Sequence, residues 1–243
     1  MPHLSIVIPA FNEVKRLPKT LDRMLPYLRS CGFSFEVLIV DDGSRDATAA
    51  MVRDYITRYP EIQLLGDGAN HGRGAAVKTG VYAARGDLVL ETDSDGSVAD
   101  EAVARFVAHL DAHAEVGAVF GSRELAESVI TQYQPPLRVF LGYGFIYLAR
   151  LVFWMWSTTD FTLGFKMYRR AVARDVHDHQ FDPFYVAEAE KCFVAKLRGH
   201  KVVELPVTWT DDPDSRVRPL RDSVRSLRGV IGILLRFIKG SYR

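Results

Sequence analysis

The chain is poor in cysteine: Cys31 and Cys192 are the only two in 243 residues. That excludes a disulfide framework and a cysteine-rich metal centre, and it favours a reducing compartment. Low-complexity tracts and internal repeats are missing, which excludes repeat architectures and disordered scaffolds. Met1 leads directly into a strand-like run, without the charged region and cleavage site of a signal peptide. The most apolar stretch, Val139–Ser157, is interrupted by Arg150 and so weakens as a membrane span. A phosphate-binding Gly-x-x-x-x-Gly-Lys-Ser/Thr loop is also absent. Gly74–Gly80 carries glycines and Lys78 but reads as helix, which excludes a Walker-type NTPase. Nor is there an excess of one charge, since the formal net charge is +1.

That near-neutral total hides an asymmetry. From Arg216 to Arg243 there are eight basic residues, opposed only by Asp222. A basic tail on a mildly acidic body points to a polyanionic partner, such as lipid headgroups or phosphates. A nucleic-acid partner is disfavoured, because the aromatics are not interleaved with the basic residues.

The length suits one large domain, or a domain with an appendage. Short apolar runs at Leu4–Ile8, Glu36–Val40, Ile62–Leu65, Leu88–Glu91 and Val116–Gly121 read as strands. Between them Pro18–Arg29, Ala47–Arg58, Gly74–Ala84 and Ala99–Ala112 read as helices. Alternation of this kind, with nearly continuous apolar strands, predicts an α/β fold with a mostly parallel sheet covered on both faces. Ligands of such sheets bind beyond the C-terminal ends of the strands.

Asp93-Ser94-Asp95 sits at one such end. Two close carboxylates repel unless a positive group joins them, and Mg2+ is commonly held by one or two carboxylates plus substrate phosphates. A plain polar turn with Asp95-Gly96 is the competing reading. Four more segments fall at the same edge. Ile8–Glu13 offers Pro9, Ala10 and the carboxylate of Glu13. Val40–Ser44 offers Asp41 and Asp42, able to accept hydrogen bonds from a base or a ribose, with Ser44 or Asp46 as a helix cap. Asn70–Gly74 is a glycine-flanked basic turn carrying Arg73, opening a helix that bears Lys78; such a helix start is an anion site. Asp160–Lys166 places an aspartate between an apolar segment and a strand-like run.

Two segments have membrane character. Val139–Ser157 is rich in Tyr143, Tyr147, Trp154 and Trp156, and reads either as a membrane-lying segment of two short helices or as a buried core helix. In the tail Leu220, Val224, Leu227, Ile231, Leu235 and Ile238 recur at helical spacing beside a basic face. That is the pattern of a membrane-surface helix, or of a terminal helix covering its own domain. His177-Asp178-His179 reads as a solvated turn, Glu188 and Glu190 as a helix surface, and Cys192 as a small core residue.

Taken in order, these segments resemble the family 2 glycosyltransferases with a GT-A fold. The likeness is strongest to the polyprenyl-phosphate sugar synthases, the dolichyl-phosphate glucosyltransferase and mannose synthase branches. It is carried by Ile8–Glu13, Val40–Ser44, Asn70–Gly80, Asp93–Gly96, Gly121-Ser122-Arg123, Asp160–Lys166, Val203–Trp209 and Ser215–Val217. The resemblance implies a Rossmann-like GT-A sheet with added membrane-interface helices. Its parts would be 1–134 for the nucleotide sugar, 135–158 for the apolar interface segment, 159–212 for the acceptor side, and 213–243 for the basic loop and amphipathic helix. It implies donor contacts from Pro9, Ala10, Glu13, Asp41, Asp42, Arg73, Lys78, Asp93, Ser94 and Arg216, and a Mg2+ or Mn2+ ion on Asp93 and Asp95. Arg123, Arg138 and Arg218 would meet the acceptor phosphate, and the resemblance offers, against the helix-surface reading of Glu188 and Glu190, an acidic residue there facing the acceptor site. Asp160, Arg123 and Asp95 would stand at the reacting centre. The mannose branch has a metal-holding glutamine where this chain has Ser97. The implied activity is inverting transfer of a hexose from a nucleotide sugar, UDP-glucose or another UDP-hexose, to a polyprenyl phosphate. The implied setting is the cytoplasmic membrane face, with a peripheral or monotopic protein. GDP-mannose as donor, or a saccharide hydroxyl as acceptor, is the alternative.

Overall fold

A computed structural model describes residues 1–132, 136–184, 186–212 and 219–242, with the side chains of 136–138 and 219–224 left aside. Strands β1 (Leu4–Ala10), β2 (Phe35–Asp41), β3 (Ile62–Leu65), β4 (Leu88–Glu91), β5 (Ala118–Ser122), β7 (Lys166–Arg169) and β8 (Val202–Pro206) form one sheet in the order β3-β2-β1-β4-β7-β5-β8. β7 runs antiparallel to both β4 and β5; the other pairings are parallel. A second small sheet pairs β6 (Val129–Gln132) with β9 (Thr208–Thr210).

Alternate strand residues feed two cores. Leu4, Ile6, Ile8, Val37 and Ile39 face α1 (Leu17–Ser30), α2 (Thr48–Arg58) and α4 (Glu101–Ala112). Val7, Leu38, Val40 and Val89 face α3 (Arg73–Ala83), α6 (Arg170–Asp178) and α7 (Ala187–Leu197). Burial on both faces explains why β1 is apolar almost throughout, and each fully buried Leu or Ile side chain contributes roughly 1.5–3 kcal/mol. Gly80 lets α3 lie close on the sheet, since a Cβ there would be 2.3 Å from Val7 Cγ1. The Gly74–Gly80 stretch is thus a helix–sheet contact, in agreement with the exclusion of a phosphate loop.

Val139–Ser157 differs from the expectation of two short helices. Its residues up to Phe153 lie in one helix, α5 (Pro136–Phe153), closed by Trp154 in the left-handed region at φ 52°, and Trp154–Ser157 follow as turns. Among the described residues no helix is long and apolar enough to cross a membrane. α5 buries Ile146, Ala149 and Phe153, and turns Phe140, Tyr143, Tyr147 and Leu151 outward, with Trp154 exposed just past its end. The tail helix α8 (Pro219–Ile238) packs against α5; of its expected stripe the Leu220 and Val224 side chains lie outside the described residues, and the rest is not the packed face. Val230 and Ile233 are buried, while Leu227, Ile231, Leu235 and Ile238 are 49–71% exposed.

Two surface readings are corrected. His177 is wholly buried, with Nε2 2.9 Å from Glu91. Glu188 and Glu190 are buried as well. Glu190 accepts the N–H groups of Phe181 and Asp182, at 2.9 and 2.6 Å, and the Tyr242 hydroxyl.

Candidate active site

The C-terminal ends of β1, β2 and β4 open into a cleft of about 960 Å3. At one end lie Pro9, Ala10, Phe11, Glu13, Asp42 and Asn70. The loop after β1 is pinned to the start of α2: Asn12 N–H donates to Ser44 Oγ at 2.8 Å, and Glu13 N–H to Thr48 Oγ1 at 2.8 Å. Glu13 pairs with Arg16 at 2.5 Å, and Arg16 reaches Asp212 at 2.9 Å. Asp42 accepts the N–H of His71 at 2.7 Å, that of Gly72 at 3.1 Å and the Asn70 amide at 3.1 Å. Burial raises the Asp42 carboxyl above its ordinary value, against the pull of those N–H donors.

Asp93, Ser94 and Asp95 form the middle of the cleft. Thr20 Oγ1 donates to Ser94 O at 2.8 Å, which anchors this turn to α1. Ala99 N–H and Thr210 N–H bond to Thr208 O and Ser97 O, tying the turn's far end to β9. Asp95 Oδ1 accepts Ser97 N–H at 3.0 Å. Burial first, and the Asp93 charge second, raise the Asp95 carboxyl. One oxygen of Asp93 accepts both Nε and Nη2 of Arg73, at 2.9 and 2.7 Å. Two repelling carboxylates, one of them destabilised by burial, are a donor set that fits a hard divalent cation. No cluster of three His, Cys, Asp or Glu suited to a metal occurs among the described residues. Such an ion would therefore take the rest of its shell from donor oxygens and water.

At the far end Arg123 and Asp160 form a paired fork, Nε to Oδ2 at 2.7 Å and Nη2 to Oδ1 at 3.0 Å. Thr162 and Leu163 add backbone N–H groups to Asp160 at 2.9 and 3.2 Å, and Glu204 holds the Asp160 N–H at 3.1 Å. Burial alone would raise Asp160, but the guanidinium and the Thr162 N–H outweigh it and bring the carboxyl down to about 2. Arg123 also lies over the Trp209 ring, 5.2 Å from its centre. Beyond it α5 lines the cleft with apolar side chains, including Val139, Phe140, Tyr143 and Phe145.

Of the residues expected at the site, Pro9, Ala10, Glu13, Asp42, Arg73, Asp93, Ser94, Asp95 and Arg123 line this one cleft. Asp160 stands directly behind Arg123. Asp41 and Lys78 stand apart from that lining. Asp41 is not among the lining residues; its Oδ1 accepts the Ser44 N–H at 3.0 Å. Lys78 points away along α3, with Nζ 3.5 Å from Gln180 O. Arg216, Arg218 and the Arg138 side chain lie outside the described residues.

Several further charged groups stand beside the cleft. Glu188 takes Arg73 Nη1, Lys166 Nζ at 2.5 Å and Lys191 Nζ at 2.7 Å, and Lys191 continues to Glu91 on β4. The three cations outweigh the effect of burial and hold Glu188 well below the usual carboxylate range. Glu188 and Lys191 three residues apart look like an ordinary exposed helix pair. Their burial depends on partners far away in the chain.

An open α/β sheet with an Asp-x-Asp turn at its C-terminal edge, between an acidic pocket and an arginine fork, defines a GT-A nucleotide-sugar transferase. The family model "Glycosyl transferase family 2" matches residues 5–176, and the chain belongs to that family. Dolichyl-phosphate beta-glucosyltransferase of Dictyostelium discoideum is 31% identical over 99% of this chain and 76% of its own. A dolichyl-phosphate beta-glucosyltransferase of Trichomonas vaginalis is 35% identical, over 89% and 68%. Glucosyl-3-phosphoglycerate synthase from Mycobacterium tuberculosis, solved with UDP, superposes at a TM-score of 0.67. It shares 20% identity, over 96% of this chain and 79% of that one, and supports the fold.

Proposed function

We propose that this glycosyltransferase moves a hexose from a nucleotide sugar, UDP-glucose or another UDP-hexose ahead of GDP-mannose, onto a polyprenyl phosphate at the membrane surface. The donor would lie across Pro9, Glu13, Asp42 and Arg73, with Mg2+ or Mn2+ on Asp93 and Asp95. When bound, the cation supplies Lewis-acid stabilisation of the charge growing on the leaving diphosphate. The sugar's anomeric carbon leaves the diphosphate oxygen and bonds to the acceptor's phosphate oxygen from the opposite face, inverting the centre. Arg123 receives the acceptor phosphate, and Asp160 holds Arg123 in position.

The observation that carries this reading is the state of Asp160. Its oxygens are taken by Arg123 and backbone N–H groups, and its carboxyl sits at about 2. A base that weak is unsuited to deprotonating a sugar hydroxyl. A phosphate monoester is already anionic and needs no such base. The relatives named dolichyl-phosphate beta-glucosyltransferase support the acceptor. The Mycobacterium tuberculosis enzyme, crystallised with Mn2+ and UDP-glucose, supports the cation and the donor class.

The membrane side rests on α5 and α8. Together they turn Phe140, Tyr147, Leu151, Ile231, Leu235 and Ile238 to the outside, with Trp154 just past the end of α5, and Arg228 and Lys239 are exposed beside them. Apolar and aromatic side chains with adjacent basic residues suit an interfacial position on an anionic cytoplasmic leaflet. On this reading the protein is peripheral or monotopic. Its parts are a donor half (1–134), an interface segment (135–158), an acceptor half (159–212) and a basic loop with helix (213–243).

The test is to incubate purified protein with radiolabelled UDP-glucose, other UDP-hexoses or GDP-mannose, polyprenyl phosphate, and Mg2+ or Mn2+. Label passing into organic solvent with a UDP-hexose is the expected result. Label only with GDP-mannose would move the assignment to the mannose branch. No lipid-soluble product with any donor would refute it.

A further inference from the structure

Arg73 stands where a cation is needed. Its Nε and Nη2 both point at one oxygen of Asp93, at 2.9 and 2.7 Å, while Nη1 binds Glu188 on α7. The guanidinium spans two carboxylates on separate elements with fixed geometry, because its donors form a rigid planar fork. Gly164 packs directly on the pair: a Cβ there would be 2.2 Å from Arg73 Nη2 and 2.6 Å from Asp93 Oδ2.

We propose that Arg73 is a positioning residue that occupies Asp93 in place of the metal in the donor-free enzyme. When metal and donor enter together, it releases Asp93 and stays bound to Glu188. The inference rests on the metal-and-donor reading above. A divalent ion arriving alone must displace or crowd a guanidinium already hydrogen-bonded to its ligand. Displacement by itself would strand a largely buried positive charge, which is costly without a partner. Glu188 is that second partner, and it is fixed in place by Lys166 and Lys191. Lys191 is in turn held by Glu91, two residues before Asp93 on the same chain segment. The circuit Asp93–Arg73–Glu188–Lys191–Glu91 therefore survives the loss of its first link. Once freed, Nε and Nη2 face the cleft and can serve donor oxygens. Metal and nucleotide then help each other to bind, and by linkage the help is equal in both directions.

The experiment measures Mn2+ binding to the full chain by electron paramagnetic resonance, without and with UDP. Wild type is expected to bind Mn2+ weakly alone and more tightly with UDP. Arg73→Ala should bind Mn2+ alone at least about tenfold tighter, the loss of competition from a pair of charge-assisted hydrogen bonds. UDP should then add correspondingly less. Glu188→Gln should shift the donor-free affinity the other way, because Asp93 becomes the only carboxylate left to Arg73. A merely structural role would loosen the turn and weaken Mn2+ binding in both variants. Arg73→Lys keeps the charge without the fork and should fall between wild type and Arg73→Ala; it carries the test if Arg73→Ala does not fold. Unchanged or weaker donor-free Mn2+ binding in a folded Arg73 variant overturns the inference alone. Failure of wild type to bind Mn2+ even with UDP overturns the metal-and-donor reading, and the inference with it.

Discussion

Replacing Asp160 by Asn separates the two acceptor chemistries. The change keeps the shape and leaves an oxygen for the Thr162 and Leu163 N–H groups. It removes the charge that faces Arg123 at 2.7 and 3.0 Å. Asp160 is 1% exposed, so breaking the pair should cost about 3 kcal/mol, at the low end of the range for buried pairs because Arg123 keeps some solvent contact. For a chain of this size that corresponds to a melting temperature lower by roughly 6–12 °C. Arg123 would lose its fork and turn toward Thr162 Oγ1, now 2.6 Å away. Mispositioning one phosphate-binding group should reduce kcat/KM by on the order of a hundredfold. The signature is that measurable transfer persists, and that the pH–rate profile keeps the same acid limb as wild type, since no proton is taken up by residue 160. Thermal melts combined with lipid-extraction kinetics between pH 5.5 and 8.5 provide the readout. Loss of all activity in a protein of unchanged melting temperature, alongside a wild-type profile whose acid limb lies near neutrality, would show Asp160 to be a general base. That result would refute the phosphate-acceptor argument.

Gly164→Ala should leave the fold intact but reduce donor turnover more than tenfold, because its Cβ intrudes within 2.2 Å of Arg73 and 2.6 Å of Asp93; steady-state kinetics at saturating acceptor would expose unchanged turnover as a refutation. The Asp160 carboxyl is depressed to about 2 from 3.8, so its ion pair adds stability above about pH 4 that disappears as pH falls toward 2; urea melts at pH 5 and pH 3 should differ by about 1 kcal/mol from this group. Glu188 is shifted in the same direction and adds to the loss over the same acid range. Ile231→Ser with Leu235→Ser should leave stability within about 0.5 kcal/mol per substitution, as both side chains are half exposed. The same pair should weaken binding to anionic vesicles by tenfold or more, at roughly 0.8 kcal/mol per lipid-buried CH2; vesicle sedimentation that matches wild type would remove α8 from the membrane contact.

The parallel half of the sheet was legible because its strands are buried on both faces and therefore run apolar without alternation, as in β1 and β4. The loops beyond those strands were legible for the same reason: polar, glycine-bearing segments stand out after an apolar run. β7 was not placed by that logic. Lys166-Met167-Tyr168-Arg169 reads as a short strand-like run with two cations, yet it occupies the sheet's interior between β4 and β5. Its lysine, Lys166, is buried because Glu188 and the Leu163 carbonyl accept its ammonium. α7 misleads in the same way, with Glu188, Glu190 and Lys191 all inside. Helical charge spacing marks a solvent face unless counter-charges arrive from elsewhere, and here they come from Arg73, Lys166 and Glu91. On α8 the apolar stripe was legible, but which strip would be covered was not. Val230 and Ile233 pack inward, while the more regular stripe is left outside.

A buried charge circuit is weak evidence for stability, since replacing such pairs with apolar side chains is often neutral or stabilising. Glu91, Glu188, Lys166, Lys191 and His177 could have been a hydrophobic layer between β4 and α7 as far as folding is concerned. What an apolar layer could not do is hold Arg73 at the rim of the cleft while its contact with Asp93 is made and broken. A guanidinium needs an anion on its buried side to remain there when its exposed partner changes. That anion needs cations behind it to stay ionised, and those cations need Glu91. Each member follows from the one before it, starting from a single requirement: a positive group that can leave the Asp93 carboxylate without leaving the site.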